Sequence, residues 1–261
     1  MRHLYLSPHL DDAVLSCGGT IHQRAADGVR VVVLTLFAGE FTGHELSPFA
    51  LLQHKYWGYP ARPMLLRRAE DSAALALLGA EAQHLNYRDA IYRAGPDGVW
   101  LYSEEESLWE GVHPDDPVAQ NGAQTLAEEL ALLLPPRDGA LVHAPLAVGC
   151  HVDHQIVHAA ARNLLAQGYQ VTFYEDYPYA EKPGTTEAAV AAAEAGTWRV
   201  EAVPLNPRNL AAKVSALGYY RTQMAVLFGG AEAMPNRIWA FAASRAQHAP
   251  LAERLWWPAE A

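Results

Sequence analysis

An almost unbroken run of apolar, mostly β-branched residues at 29–36 constrains the fold of this chain more than any other feature. Such a run is typical of a strand buried on both faces of a parallel sheet, whereas a strand with one wet face alternates apolar and polar residues. A shorter apolar strand at 3–7 and a helical segment at 20–26 precede it. The order strand, helix, strand predicts a parallel βαβ unit at the start of the chain.

Helices and strands continue to alternate along the chain. Further helices are predicted at 65–78, 122–134, 152–167, 185–195 and 208–228. Further strands are predicted at 83–87, 140–144, 169–174 and 198–205. This alternation predicts an α/β fold with a Rossmann-like three-layer α/β/α architecture and a mostly parallel sheet. The 261 residues are within the range of one domain, so 1–261 is expected to be a single domain.

Three segments show no regular period. Residues 38–63 mix glycine, proline, histidine and aromatic residues, which predicts a long functional loop. Residues 90–121 are similarly irregular, and we expect both segments to shape a pocket. The end of the chain, with Trp256, Trp257 and Pro258, gives no interpretable pattern.

Composition excludes several classes of protein. The formal net charge is -10 and the lysines and arginines are scattered, so no nucleic-acid partner is expected. The longest apolar stretches fall well short of the roughly 20 residues that span a bilayer, so no membrane segment is expected. Cys17 and Cys150 are too few for a disulfide framework, and no signal-peptide pattern opens the chain. These features predict a cytoplasmic protein.

The first candidate site follows the opening strand directly, in the sequence Ser-Pro-His-Leu-Asp-Asp at 7–12. The carboxyl ends of strands are where open α/β sheets collect ligands. His9 and Asp12 have the residue types that hold a metal, and Asp11 would face its bound water, because adjacent carboxylates repel without a cation. An alternative is that Asp11 or Asp12 only caps the next helix while His9 packs at the strand end.

The second candidate site, 149–154, follows another apolar strand and opens another helix. His151 and His154 are three residues apart and therefore share one helical face. One histidine of such a pair can complete a metal shell, while the other stays free to donate a proton or stabilise an oxyanion. Alternatively, Asp153 is only a favourable charge at the helix start and both histidines are exposed polar groups.

Both clusters come at strand ends, so they are expected at the same edge of the sheet. His9, Asp12 and His154 would then form a three-residue ligand set with one coordination position left for water. That open shell is typical of catalytic zinc rather than of a closed structural site. Iron or cobalt is also compatible with these ligands, so Zn²⁺ is the expected cofactor and Fe²⁺ an alternative.

The two motifs resemble a known family. The sequence Ser-Pro-His-Leu-Asp-Asp with Gly-Gly shortly after it, and Gly-Cys-His-Val-Asp-His-Gln later, are similar to the signatures of the PIG-L/LmbE-like zinc-dependent N-deacetylases. The resemblance implies that His9, Asp12 and His154 hold zinc. It also implies that Asp11 is the general base and that His151 acts as the acid or oxyanion stabiliser.

The resemblance extends beyond these motifs to Arg67 and Asp89, which it implies face the substrate. We expect Asp153 to take part in catalysis by fixing the tautomer of His151. One departure concerns Gly149, because some family members carry at this position a tyrosine that assists the oxyanion. The oxyanion partner is therefore open.

The expected function is a zinc-dependent hydrolase that removes an N-acetyl or other N-acyl group from a small molecule containing an amino sugar. One alternative is a metal-dependent hydratase or lyase that acts on a carboxylic substrate at the same site. Another is a non-catalytic nucleotide-binding module in which Gly18 and Gly19 cradle a phosphate. The expected partner is an N-acetylated amino sugar or conjugate; the oligomeric state is open, with a homo-oligomer among the alternatives.

Overall fold

The computed structural model describes residues 2–43, 45–137, 139–193 and 197–258, and a seven-stranded sheet lies at its centre. The strands are β1 (Arg2–Ser7), β2 (Val31–Thr35), β3 (Glu81–His84), β4 (Ala140–Pro145), β5 (Gln170–Tyr174), β6 (Trp198–Pro204) and β7 (Ala252–Pro258). Their order in the sheet is β3-β2-β1-β4-β5-β7-β6. Strands β1 to β5 pair in parallel, and β7 runs antiparallel to both of its neighbours.

Helices flank this sheet, which confirms the predicted α/β class with a mostly parallel sheet. They are α1 (Asp12–Ala26), α2 (Pro48–Tyr56), α3 (Pro63–Leu77), α4 (Pro117–Gln120), α5 (Gly122–Leu133), α6 (Val152–Ala166), α7 (Thr185–Ala192), α8 (Pro207–Leu217), α9 (Arg221–Phe228) and α10 (Met234–Ser244). Helix α1 packs against α8, which also contacts α3, whereas α5 packs against α6. None of the helices within the described ranges is both long and apolar enough to cross a bilayer.

Burial explains the sequence pattern of the strands. Every residue of β2 and β4 is buried, as the unbroken apolar run at 29–36 predicts for a central parallel strand. The edge strands β3 and β6 expose part of their residues, since only one neighbour covers them. The apolar core therefore lies along the middle of the sheet and under the helices that cover it.

The glycine pair of the first motif lies inside a helix, not before it. We expected a helix at 20–26 after a loop, but α1 begins at Asp12. A Cβ atom on Gly18 would lie 2.8 Å from Cγ of Lys213, and one on Gly19 would lie 2.5 Å from Cδ1 of Leu205. Close packing against α8 and the segment before it thus requires glycine here. This packing role replaces the phosphate cradle that the nucleotide-binding alternative had assigned to the pair.

The structure also differs from the sequence prediction in four other segments. Residues 38–63 are not one long loop, because Ser47 accepts a hydrogen bond from the backbone N–H of Ala50 and caps α2. The helix predicted at 208–228 is two helices, α8 and α9. The helix predicted at 185–195 ends at Ala192, and residues 194 and 195 lie outside the described residues. The uninterpreted chain end forms α10 and β7, and β7 lies between β5 and β6.

Candidate metal centre and active site

Three neighbouring strands bring the two motifs together. β4 lies between β1 and β5, and all three point their carboxyl ends to the same edge of the sheet. His9 follows β1, His154 lies in the first turn of α6 after β4, and Asp176 follows β5. These side chains are buried, as is Asp12 at the start of α1. The reading of the motif histidines as exposed polar groups is therefore wrong.

One carboxylate oxygen lies between the two histidines. Oδ2 of Asp12 is 3.2 Å from Nδ1 of His9 and 3.3 Å from Nε2 of His154. The same oxygen accepts the backbone N–H of His9 at 2.7 Å, which fixes the carboxylate. The three side chains predicted as metal ligands thus face one another. Within the part of the chain that the structure describes, Nε2 of His154 is buried without a hydrogen-bond partner, as expected of a nitrogen that binds a metal.

The outer nitrogen of each imidazole contacts a second buried carboxylate. Nε2 of His9 is 2.9 Å from Oδ2 of Asp153, and Nδ1 of His154 is 2.6 Å from Oδ1 of Asp176. A carboxylate at the outer nitrogen holds the imidazole proton there and leaves the lone pair of the inner nitrogen for a metal. We therefore assign the proton of His9 to Nε2 and that of His154 to Nδ1.

Among the described residues, two groups place their ligand atoms within 4.8 Å of one another: His9 with His151 and His154, and His9 with Asp89 and Asp153. Asp12 belongs to neither group, although its Oδ2 contacts both His9 and His154. In the first group, Nδ1 of His151 accepts the backbone N–H of Asp153 at 3.2 Å, so only Nε2 remains for another contact. The chemistry of all these donors fits a divalent metal ion. Asp12 and His151 are therefore alternative third ligands beside His9 and His154.

The charges around the histidines also fit a cation. Five buried carboxylates surround them: Asp11, Asp12, Asp89, Asp153 and Asp176. Burial, reinforced by the charge of Asp12, raises the pKa of Asp11 to about 8. Burial disfavours the protonated form of His154, yet Asp12 and Asp176 raise its pKa to about 9. A divalent ion would relieve the repulsion among these carboxylates.

The residues expected to face the substrate lie beside the general-base candidate. Nη2 of Arg67 is 3.9 Å from Oδ2 of Asp11, and Nη1 is 3.8 Å from Oδ2 of Asp89. The guanidinium also stacks on the ring of Trp57 at 4.9 Å. Asp11 makes no side-chain capping bond to α1, so the capping alternative is wrong for this residue.

Asp153 is placed differently from our expectation. Its carboxylate contacts Nε2 of His9, accepts the backbone N–H of Ala90 at 3.1 Å, and forms an ion pair with Arg93. The hydrogen bond between Asp153 and His151 comes from the backbone N–H instead. Among the described residues, the Asp153 carboxylate thus contacts a proposed metal ligand, and no hydrogen bond joins it to the His151 ring.

A cavity of about 380 Å³ opens onto this cluster. Its lining includes six residues that the sequence singled out: His9, Asp11, Asp12, Arg67, Asp89 and His151. Asp153 and His154 are completely buried and lie outside the lining. Aromatic rings form much of the rest, including Tyr56, Trp57, Trp109 and Tyr179. The cavity thus combines charged groups with flat apolar surfaces, which suits a small molecule with a sugar-like ring.

Sequence reasoning missed several residues of the site. Asp176 had a signal, because it directly follows β5 at the edge where the two motifs meet. Arg93 and Trp109 had none, since they lie in the irregular segment 90–121. Trp109 contacts the rings of both His151 and Tyr179, with centroid distances of 5.1 and 5.2 Å.

Comparison with known proteins agrees with this geometry. Two curated relatives are 2'-N-acetylparomamine deacetylases. The one from Niallia circulans is 28% identical over 188 residues, which cover 67% of this chain and 66% of the relative. The one from Streptomyces fradiae is 34% identical over 185 residues, which cover 69% of this chain and 58% of the relative. The matched regions therefore span less than two thirds of either relative.

A solved structure matches over almost the whole chain. The zinc-inhibited form of teicoplanin deacetylase Orf2 is 31% identical, with a TM-score of 0.82 and coverage of 98% of this chain and 97% of that one. A sequence model of the PIG-L family, described as GlcNAc-PI de-N-acetylase, matches residues 4–165, which include both motifs. This match confirms the resemblance inferred from the motifs, and the chain belongs to the PIG-L family of GlcNAc-PI de-N-acetylases.

Proposed function

We propose that this protein is a zinc-dependent hydrolase that removes an N-acetyl group from a small molecule containing an amino sugar. One observation carries the proposal: Oδ2 of Asp12 contacts the inner nitrogens of His9 and His154, beside a cavity lined by Asp11 and His151. The names of the relatives support the substrate class, because they describe deacetylases of 2'-N-acetylparomamine and of teicoplanin.

His9, Asp12 and His154 would hold the metal. When bound, Zn²⁺ lowers the pKa of a coordinated water and polarises the amide carbonyl of the substrate. The protein supplies the remaining chemistry. Asp11 lies at the cavity next to Asp12 and accepts a proton from the water as its oxygen forms a bond to the carbonyl carbon.

His151 stabilises the developing oxyanion. Because Nδ1 of His151 accepts a backbone N–H, the neutral ring carries its proton on Nε2 and can donate a hydrogen bond to the carbonyl oxygen as this oxygen becomes negative. The proton that Asp11 took from the water goes to the amide nitrogen as the C–N bond breaks, since an amine leaves only when it is protonated. The products are the free amine and acetic acid, which ionises to acetate, and Asp11 is a carboxylate again.

Arg67 and Asp89 would bind the sugar. Both line the cavity, and their mutual contact at 3.8 Å leaves donors and acceptors free for hydroxyl groups. Trp57 and Trp109 offer aromatic surface against which the apolar face of a sugar ring can pack. The site is thus built to hold a polar ring with its acyl group directed at Asp11 and Asp12.

Several finer points stay predictions. Fe²⁺ is an alternative to Zn²⁺ at this donor set. A cytoplasmic location, a single domain over 1–261 and the oligomeric state are likewise expectations from the sequence. The exact amino sugar depends on the walls of the cavity, whose aromatic residues fit more than one ring system.

The proposal is tested by an acetate-release screen on purified, zinc-loaded protein. The panel contains N-acetylated monosaccharides, an N-acetylated aminoglycoside, an N-acetylated glycopeptide and an unsaturated carboxylic acid, with Asp11→Asn as the inactive control. We expect at least one substrate to release acetate and amine in equal amounts. If instead only an unsaturated carboxylic acid is converted, by addition of water, the hydratase alternative replaces this function.

A further inference from the structure

A buried arginine lies beside the proposed metal ligands. Arg93 follows a short 3-10 helix (Ala90–Tyr92) and exposes only 2% of its surface. Its guanidinium lies between two carboxylates that are completely buried, those of Asp116 and Asp153. Nη2 donates to Oδ1 of Asp153, and Nε is 3.1 Å from Oδ2 of Asp116. A cation this deeply buried is retained only where its surroundings compensate the charge.

Asp153 links this arginine to the metal centre through its two oxygens. Oδ1 accepts from Arg93, while Oδ2 is 2.9 Å from Nε2 of His9 and accepts the backbone N–H of Ala90. Among the described residues, Arg93 is the only arginine or lysine with a side-chain nitrogen within 4.0 Å of this carboxylate. Arg93 and the backbone N–H of Ala90 thus fix the two oxygens of the carboxylate, and Arg93 is the charged one of these two partners.

The other side of Arg93 is fixed to the segment that forms a cavity wall. Asp116 accepts the hydroxyl hydrogen of Tyr102 at 2.8 Å and the backbone N–H of Val118 at 2.9 Å, which caps α4. The guanidinium also stacks on Phe37 at 5.0 Å and on Tyr102 at 5.3 Å.

The segment between Tyr102 and Asp116 supplies the cavity residues Glu105, Leu108 and Trp109. Arg93 thus contacts both the wall of the cavity and the carboxylate behind His9.

We propose that Arg93 is a positioning residue: through Asp153 it holds His9 in the orientation that binds the metal, and through Asp116 it ties the substrate-facing segment to the metal centre. The inference rests on the proposed function only in requiring a metal at His9. Carboxylates that orient metal-binding histidines typically change metal affinity by about 10- to 100-fold when they are lost. Removing the partner that orients such a carboxylate should have an effect at the lower end of that range.

The test measures zinc affinity of the full chain by competition with a chromogenic chelator. Arg93→Met removes the charge at similar length, and Arg93→Lys keeps the charge without the planar fork. We expect the Kd for zinc to rise about 10-fold in Arg93→Met and by less in Arg93→Lys. The absorption spectrum of the cobalt-loaded protein should change in the same variants, because this spectrum reports the geometry of the metal ligands. Arg93→Lys keeps the test open if Arg93→Met does not fold.

Two variants separate positioning from stability. Lys213→Met breaks another buried ion pair, in which Nζ of Lys213 is 2.7 Å from Oε1 of Glu253. It should lower the melting temperature but leave the zinc Kd unchanged. Asp116→Asn keeps the link between Arg93 and Asp153, so it should raise KM for a substrate found in the acetate screen more than it alters the zinc Kd.

Two outcomes would contradict the inference. If both Arg93 variants keep the wild-type Kd and cobalt spectrum, then Arg93 has a structural role alone, and the proposed function stands. If the wild-type protein itself binds no zinc, the proposed function and this link both fall.

Discussion

Oδ1 of Asp176 lies 2.6 Å from Nδ1 of His154, and both side chains are almost completely buried. The other oxygen of Asp176 accepts the backbone N–H of Val148 at 2.9 Å, which holds the carboxylate in place. His9 has the same arrangement with Asp153. Both proposed imidazole ligands therefore have an outer carboxylate, and the two carboxylates come from different elements.

This contact predicts that Asp176→Ala weakens zinc binding. Without the carboxylate, the proton of His154 is no longer held on Nδ1, and the ring is free to turn. We expect the zinc Kd to rise about 10- to 100-fold, as measured by chelator competition. Glu175→Gln is the matched control, because this neighbouring buried acid pairs with Arg245 rather than with a histidine. An equal loss of affinity in the control would show that the effect is not specific to Asp176.

His151→Ala should keep the metal and lose most of the turnover. The side chain lines the cavity and is the proposed hydrogen-bond donor to the oxyanion. Loss of one such donor lowers kcat about 10²- to 10³-fold. Elemental analysis and acetate release on the same sample test both parts. A parallel loss of zinc would favour the alternative ligand set, in which His151 joins His9 and His154.

Tyr179→Phe is expected to lower kcat. Glycine at 149 leaves room for this ring, because a Cβ atom there would lie 2.8 Å from Cβ and Cγ of Tyr179. The ring contacts that of His154 edge-on at 5.8 Å and lines the cavity, where its hydroxyl could donate to the oxyanion. Losing one oxyanion donor costs about 10²-fold in kcat with little change in KM.

Tyr177→Phe is the matched control for that variant. It removes the same atom from a neighbouring tyrosine, whose hydroxyl donates to Glu181 at 2.8 Å and which is not part of the cavity lining. Acetate-release kinetics of both variants should separate them clearly. A Tyr179→Phe protein with the wild-type kcat would show that the hydroxyl plays no part in the reaction.

Six of the seven strands were predictable because their signals are local. A buried parallel strand such as β2 needs only its own apolar run to be recognised. β7 was not recognisable, because its pairing with β6 joins Trp198 to Pro258 and depends on contacts far along the chain. Gly18 and Gly19 led to a wrong helix start for a related reason. Glycine has a low helix propensity and so predicts a loop here, but tertiary packing keeps both residues inside α1.

The candidate site also has a part that was predictable from local sequence and a part that was not. The two motifs were placed together by a general rule for strand ends, and the structure brings His9, Asp12 and His154 into one cluster. The supporting groups are single residues without a motif. Asp176 is 22 positions from His154, and Arg93 is 60 positions from Asp153. The folded backbone sets their partners. The position of Asp176 after β5 was a signal that it lies at this edge of the sheet, whereas Arg93 in the irregular segment 90–121 had no such signal.

Gly18→Ala should destabilise the protein. In an open helix the change from glycine to alanine is favourable by about 1 kcal/mol. Here the new methyl group would lie 2.8 Å from Cγ of Lys213, whose Nζ is fixed by Glu253 at 2.7 Å. Overpacking of this kind costs about 1–3 kcal/mol and should outweigh the gain. Urea unfolding measures the difference, and an unchanged or higher midpoint would contradict the packing argument.

Two histidines away from the metal centre, the buried His3 and the half-buried His158, predict a loss of stability in acid. Burial lowers the pKa of His158 to about 4, and burial with the charge of Arg24 lowers that of His3 to about 4. In the unfolded chain these two imidazoles take up protons below about pH 6.5, whereas in the folded protein they do so only below about pH 4. The free energy of unfolding contributed by these groups therefore falls as the pH drops through this window.

His158→Gln should reduce this pH dependence. Nδ1 of His158 lies 2.9 Å from the carbonyl oxygen of Pro145, and a glutamine amide can still donate there without titrating. Each pKa unit corresponds to about 1.4 kcal/mol, so removing one such group should flatten the profile by about 2–3 kcal/mol. Urea unfolding of both proteins between pH 7.5 and 4.5 gives the two slopes. Parallel slopes would mean that His158 titrates alike in the folded and unfolded chains.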